Sequence, residues 1–125
     1  MYDTEPCVSV VDDDAAVLKS LDRLLRSAGF AVRTFPSPHD FLRQHDGDAP
    51  GCVVLDLSMP GLDGLQLQQA LARSGDHCPV IFITGNGDVP ASVRAMKAGA
   101  VDFLMKPFDQ GQFLAAVRAA IDKDR

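Results

Sequence analysis

The run Cys52-Val53-Val54-Leu55-Asp56-Leu57-Ser58-Met59-Pro60-Gly61-Leu62-Asp63-Gly64 decides how this chain is read. An apolar stretch containing β-branched residues leads straight into a carboxylate, and a Pro-Gly turn follows. That is the pattern of a buried parallel strand with Asp56 at its carboxyl end. Open α/β sheets bind ligands beyond the carboxyl ends of their strands, so Asp56 is the candidate reactive residue.

On the amino-terminal side, Cys7-Val-Ser-Val-Val11 forms a short apolar run that ends in three carboxylates, Asp12, Asp13 and Asp14. Val17, Leu18, Leu21, Leu24, Leu25 and Ala28 then recur at helical spacing, with Gly29 as a left-handed stop. A second, poorer strand is expected over 31–35. Ser37 and Pro38 supply an N-cap and a first helical residue for a short helix to about 44, and 45–51 reads as polar loop.

On the carboxyl-terminal side, a helix is expected over 62–73, a buried strand over 79–84 closed by Gly85-Asn86-Gly87, and a helix over 89–98 ending at Gly99. A fifth strand over 100–105 stops at Lys106-Pro107. A last helix over 109–122 turns Phe113, Leu114, Val117 and Ile121 inward. Five strands alternating with five helices imply a parallel sheet covered on both faces, with right-handed crossovers.

The bulk numbers agree with one domain. The chain has 125 residues, 46% apolar and 23% charged, enough to fill a proper core. Residues 1–6 read as an amino-terminal extension without a basic region or apolar core of a signal peptide, and no run approaches the roughly 18 apolar residues of a membrane helix. A cytoplasmic protein with no membrane contact is expected. Cys7, Cys52 and Cys78 lack metal-ligand spacing and read as reduced thiols. A net charge of −5 argues against direct nucleic-acid binding, which depends on Lys and Arg neutralising phosphates. His39, His45 and His77 lie in polar contexts and read as solvated.

Parallel strands present their carboxyl ends on one edge, so Asp12, Asp13, Asp56, Thr84 and Lys106 are expected to converge. Clustered carboxylates raise one another's pKa unless a cation joins them. All-oxygen ligation suits Mg²⁺ or, with the same donors, Mn²⁺. A carboxylate is also a nucleophile towards phosphoryl groups. Such transfer needs positioning and charge neutralisation, which a metal, a lysine, a hydroxyl and backbone amides provide. Asp56 is then the acceptor, Lys106 and Thr84 flank it, and Gly85 permits close backbone approach. By residue type, Asp13 or Asp14 is also a natural cap for the first helix, and Asp63 and Gly64 read as turn residues.

These features together resemble a response-regulator receiver domain of two-component signalling. The resemblance rests on Val-Val-Asp12-Asp13-Asp14, the motif from Leu55 to Gly64, Ile83-Thr84-Gly85, and Asp102-Phe103-Leu104-Met105-Lys106-Pro107-Phe108. It runs from Cys7 to Ile121, and the segment from Ile83 to Phe103 resembles the FixJ-type branch. The resemblance implies a single flavodoxin-like (βα)5 domain with strand order 2-1-3-4-5. The receiver domain occupies 7–122, and 123–125 opens a linker to a LuxR-type helix-turn-helix domain outside this chain.

The resemblance further implies that Asp56 accepts a phosphoryl group from a sensor histidine kinase or a small donor such as acetyl phosphate. Asp12, Asp13, Asp56 and the backbone carbonyl of Ser58 would hold the metal. The backbone amides of Leu57 and Gly85 would donate to the phosphoryl group, and Lys106, before a cis proline, would pair with one of its oxygens. Thr84 and Phe103 would form a switch acting on the face of the fourth helix, fifth strand and last helix, where a homodimer is expected on phosphorylation. Such a domain is not an enzyme beyond its own phosphoryl transfer and dephosphorylation. Ser58 and Asn86 depart from the longer basic residue and the histidine expected at their positions, which in the family tune dephosphorylation.

Three alternatives have their own signatures. A haloacid-dehalogenase-like phosphatase would use Asp12 and Asp14, two residues apart, but Ala16 stands where its Thr or Val belongs. A phosphorylation-independent interaction domain would not need the full set of Asp12, Asp13, Asp56, Thr84 and Lys106. A flavodoxin-like cofactor binder would have a phosphate loop in place of the three carboxylates.

Overall fold

In the computed structural model, the described residues are 7–44, 51–56, 69, 79–84, 93, 96–97, 100, 102–105 and 109–124. Five strands form one parallel sheet: β1 (Cys7–Val11), β2 (Ala31–Phe35), β3 (Gly51–Asp56), β4 (Val80–Thr84) and β5 (Asp102–Met105). Their order is β2-β1-β3-β4-β5, as expected. The helices are α1 (Ala15–Ser27), α2 (Pro38–Gln44) and the carboxyl-terminal α3 (Gln110–Asp124). The helices expected over 62–73 and 89–98 lie outside the described residues, apart from Gln69, Val93, Met96 and Lys97, which are helical. Residues 1–6, 45–50, 106–108 and 125 also lie outside them.

The sheet is buried because its strands carry apolar side chains on both sides. On one side Val8, Val10, Val32, Cys52, Val54, Ile81 and Ile83 join Leu21 and Leu25 of α1 and Phe113, Ala116, Val117, Ala120 and Ile121 of α3 in one core. By strand alternation Val11, Phe35, Val53, Leu55 and Phe82 face the other side, where Phe41 of α2 meets Phe35 edge to face at 5.4 Å. Fully burying a side chain such as Phe82 stabilises the fold by about 1.5–3 kcal/mol.

Local signals set the helix ends. Asp14 is the N-cap of α1, its Oδ1 accepting the Ala16 amide at 2.9 Å. At the other end the Phe30 amide bonds to the Leu25 carbonyl at 3.1 Å and the Gly29 amide to that of Arg26 at 3.0 Å. With Gly29 at φ +94°, this is a Schellman closure. Ser37 Oγ accepts the Asp40 amide at the start of α2, and Asp109 Oδ2 accepts the Gln112 amide at the start of α3.

Three expectations shift slightly. Gly51 is the first residue of β3 and not loop, since it pairs with Cys7 across the β1/β3 ladder. At Ala100 there is buried chain outside the strand, and β5 is bounded as Asp102–Met105. Helix α3 starts one residue after Asp109, which caps it, and extends two residues past 122.

Candidate functional site

The register of β1 against β3 builds the site. Val11 pairs with Leu55, so the next residue of each strand path, Asp12 and Asp56, emerges at the same edge. The Asp12 amide bonds to the Phe35 carbonyl at 3.2 Å, extending the β1/β2 ladder by one step and fixing the Asp12 backbone. Asp12 is fully buried, Asp56 half-buried and Asp13 exposed. One carboxylate oxygen from each of Asp12, Asp13 and Asp56 lies within 4.8 Å of the others. The predicted convergence of the two acidic stretches is therefore present.

The three consecutive aspartates have separate tasks. Asp12 Oδ1 accepts the Asp14 amide at 2.9 Å, which ties the buried carboxylate to the turn into α1. Asp14 spends its carboxylate on the helix cap, which resolves the choice between Asp13 and Asp14 in favour of Asp14. Asp13 is left facing solvent as part of the acidic group. Asp14 lies outside that group, which removes the second aspartate that the phosphatase alternative requires.

Hard oxygen donors at this spacing suit one small divalent cation, with waters completing its coordination. The burial of Asp12 favours the same outcome, because an ionised carboxylate taken out of water requires compensation by hydrogen bonds or opposite charge. No other group of three or more His, Cys, Asp or Glu side chains stands so close together among the described residues.

Of the other predicted site residues, Thr84 closes β4 and pairs with Met105, while Phe103 lies in β5 opposite Phe82. Strand β4 thus ends on the same edge as the acidic group, but the side chains of Thr84 and Phe103 lie outside the described part. Leu57, Ser58, Gly85, Asn86 and Lys106 lie outside the described residues altogether, as do Asp63, Gly64, His45, His77 and Cys78. His39 is exposed, as expected. Cys7 and Cys52 are free thiols. Burial raises the Cys7 thiol above its ordinary value, against a smaller opposing influence of Arg33 and Arg26.

Sequence reasoning left unassigned the Asp12-to-Asp14 hydrogen bond. Its only signal is three adjacent aspartates at a strand-to-helix turn, where Asp side chains commonly bond the backbone two residues on.

Comparison with known proteins agrees with this geometry. The response regulator receiver domain family matches residues 8–118. Nodulation protein W of Bradyrhizobium diazoefficiens is 50% identical over 122 residues, covering 98% of this chain and 54% of that protein. Transcriptional regulatory protein FixJ of the same organism is 47% identical over 118 residues, covering 94% of this chain and 58% of that protein. The crystal structure of FixJ-N superposes with a TM-score of 0.88 at 42% identity, covering 98% of this chain and 96% of that one. The chain spans about half the length of the curated relatives it matches. An acidic group at the carboxyl edge of a 2-1-3-4-5 sheet, together with these matches, means that the chain belongs to the response regulator receiver domain family, on its FixJ-type branch.

Proposed function

We propose that this chain is a phosphorylation switch whose acceptor is Asp56. The carrying observation is the acidic group of Asp12, Asp13 and Asp56, with the half-buried Asp56 at the end of a fully apolar central strand. Asp12, Asp13, Asp56 and the Ser58 carbonyl would hold Mg²⁺ or Mn²⁺. When bound there, such an ion supplies neutralising charge for phosphoryl oxygens.

An Asp56 carboxylate oxygen attacks phosphorus. A P–O bond forms, the bond from phosphorus to the donor breaks, and the donor leaves as the kinase histidine or as acetate. Lys106 pairs with a phosphoryl oxygen, and the amides of Leu57 and Gly85 donate to others. The Thr84 hydroxyl turns towards the new charge and Phe103 follows it inward, biasing the face of the fourth helix, β5 and α3. A second copy docks on that face.

Ser58 and Asn86, both small and polar, set the access of water to the phosphoryl group. Ser58→Arg and Asn86→His therefore change its lifetime, read by the decay of the phosphorylated mass. The domain spans 7–122, with 1–6 as an extension and 123–125 leading towards a DNA-binding effector outside this chain. Response regulator receiver domains are signalling switches, and the chemistry here is confined to the chain's own aspartate. A sensor histidine kinase is the partner this reading requires, and the chain itself would act in the cytoplasm. No described helix is long and apolar enough to cross a membrane.

Intact mass after incubation with acetyl phosphate and Mg²⁺ tests the reading. One phosphoryl group should be added to the parent chain and none to Asp56→Asn or to chelated parent. An adduct that survives in Asp56→Asn would overturn the assignment of the acceptor. No adduct on the parent, with a histidine kinase also supplied, would overturn the switch itself.

A further inference from the structure

Strand β2 is an outer strand of the sheet. Its Phe35 carbonyl accepts the Asp12 amide, so Phe35 turns its backbone groups towards β1. Backbone direction alternates along a strand, so Arg33 also bonds inward while Val32 and Thr34 turn theirs to the side where no strand pairs among the described residues. The Val32 carbonyl meets a side chain there: Arg26 Nη2 donates to it at 3.0 Å. Asp22, one turn earlier on α1, holds that guanidinium in place through a 2.7 Å bond to Nε. Arg33 reaches across the same strand to the Gln44 carbonyl at 3.4 Å and lies over the Phe35 ring.

An open strand edge is a template for another strand unless something blunts it. We infer that Arg26 closes the β2 edge, and that the strand it excludes is β2 of a second copy of this chain. The occupant follows from the register. In an antiparallel, two-fold pairing centred on Arg33, Val32 of one copy faces Thr34 of the other, and both residues point their backbone groups at the partner. They would exchange amide-to-carbonyl bonds as a matched pair. The guanidinium on the Val32 carbonyl occupies one of those positions. The same register sets Arg33 opposite Arg33, and like charges across a strand pair oppose it a second time. The inference stands independently of the phosphoacceptor reading.

Arg26→Met in the 125-residue chain keeps the apolar stem and removes the donors. At 59% side-chain exposure its loss leaves the core intact. Sedimentation velocity over a concentration series should show Arg26→Met associating at about thirtyfold lower protein concentration than the parent, the effect of roughly two net hydrogen bonds, one at each copy's Val32 carbonyl. Arg26→Lys, which retains a donor, should stay near the parent. Arg26→Met with Arg33→Thr should associate at lower concentration still, with slowed exchange of the Thr34 amide. Asp22→Asn, which frees the guanidinium without removing it, should shift association in the same direction by less. If Arg26→Met and the double variant, with parent-like circular dichroism, associate no more readily than the parent, the inference fails. It fails equally if association leaves Thr34 exchange unchanged, or if Arg26→Met is unfolded and Asp22→Asn behaves as the parent.

Discussion

The two ends of the β1/β3 strand pair are built on opposite principles. At the amino end Gly51 lies against Cys7 with φ +149°, and a Cβ there would stand 2.0 Å from the Cys7 carbonyl oxygen. At the carboxyl end, just past the Val11/Leu55 pair that closes the same ladder, Asp12, Asp13 and Asp56 gather their charges within 4.8 Å. One end is specified by the absence of a side chain, the other by carboxylates whose mutual repulsion only a ligand or the surrounding dipoles can offset. The apolar strand between them, buried from Val8 to Val11 and from Cys52 to Leu55, is what keeps the two demands independent.

The strongest way to break that comparison is at the close-packed end. Gly51→Ala is expected to cost about 3 kcal/mol or more, combining backbone strain with a contact no rotamer can relieve. Denaturant unfolding measures it. Any variant that folds should retain parent Mg²⁺ affinity, because the acidic group is at the other end; a large loss of affinity in folded protein would show that the ends are coupled.

Asp13→Asn probes the charged end. Mg²⁺ affinity, followed by calorimetry, should fall at least about tenfold, the size of effect seen even for partners behind a metal ligand. In chelator, the same variant should melt higher than the parent, since one of three neighbouring charges is gone. Asp14→Ala separates ligand from cap within the same triplet: stability should drop by about 1 kcal/mol while Mg²⁺ affinity stays near that of the parent.

The smallest effect belongs to a carboxylate outside both ends. Asp40 bonds to Arg43, its amide donates to Ser37 Oγ, and the Arg43 guanidinium first and the Ser37 hydroxyl second hold its carboxyl pKa below the ordinary 3.8. A lowered folded-state pKa means that the contribution is complete above about pH 4 and is lost as acid takes the pH down through the folded value. Nuclear magnetic resonance of α2 should therefore show fraying in acid that Asp40→Asn does not reproduce.

Much of this was legible along the chain. The alternation of apolar runs and helical stripes located the strands because the parallel sheet is buried on both faces, and Asp56 stood out as a charge closing such a run. The helix ends at Asp14, Gly29 and Ser37 carried their own local chemistry. What was not legible depends on contacts through space. Gly51 reads as loop until Cys7 is placed beside it, and Ala116 and Ala120 are too small to mark a buried face until α3 lies on the sheet. The Arg26 guanidinium looks like an ordinary solvated charge until the edge carbonyl of Val32 is seen beneath it.

The relay from Asp12 Oδ1 to the Asp14 amide, and from Asp14 Oδ1 to the Ala16 amide, gives α1 a direct reading of the acidic group. A carboxylate that shifts even slightly towards an approaching ion lengthens the first bond and loosens the register of the second. The amide protons of Asp14 and Ala16 are thus gauges installed in the backbone, and their exchange rates would register arrivals at the charged edge before any distant surface has moved.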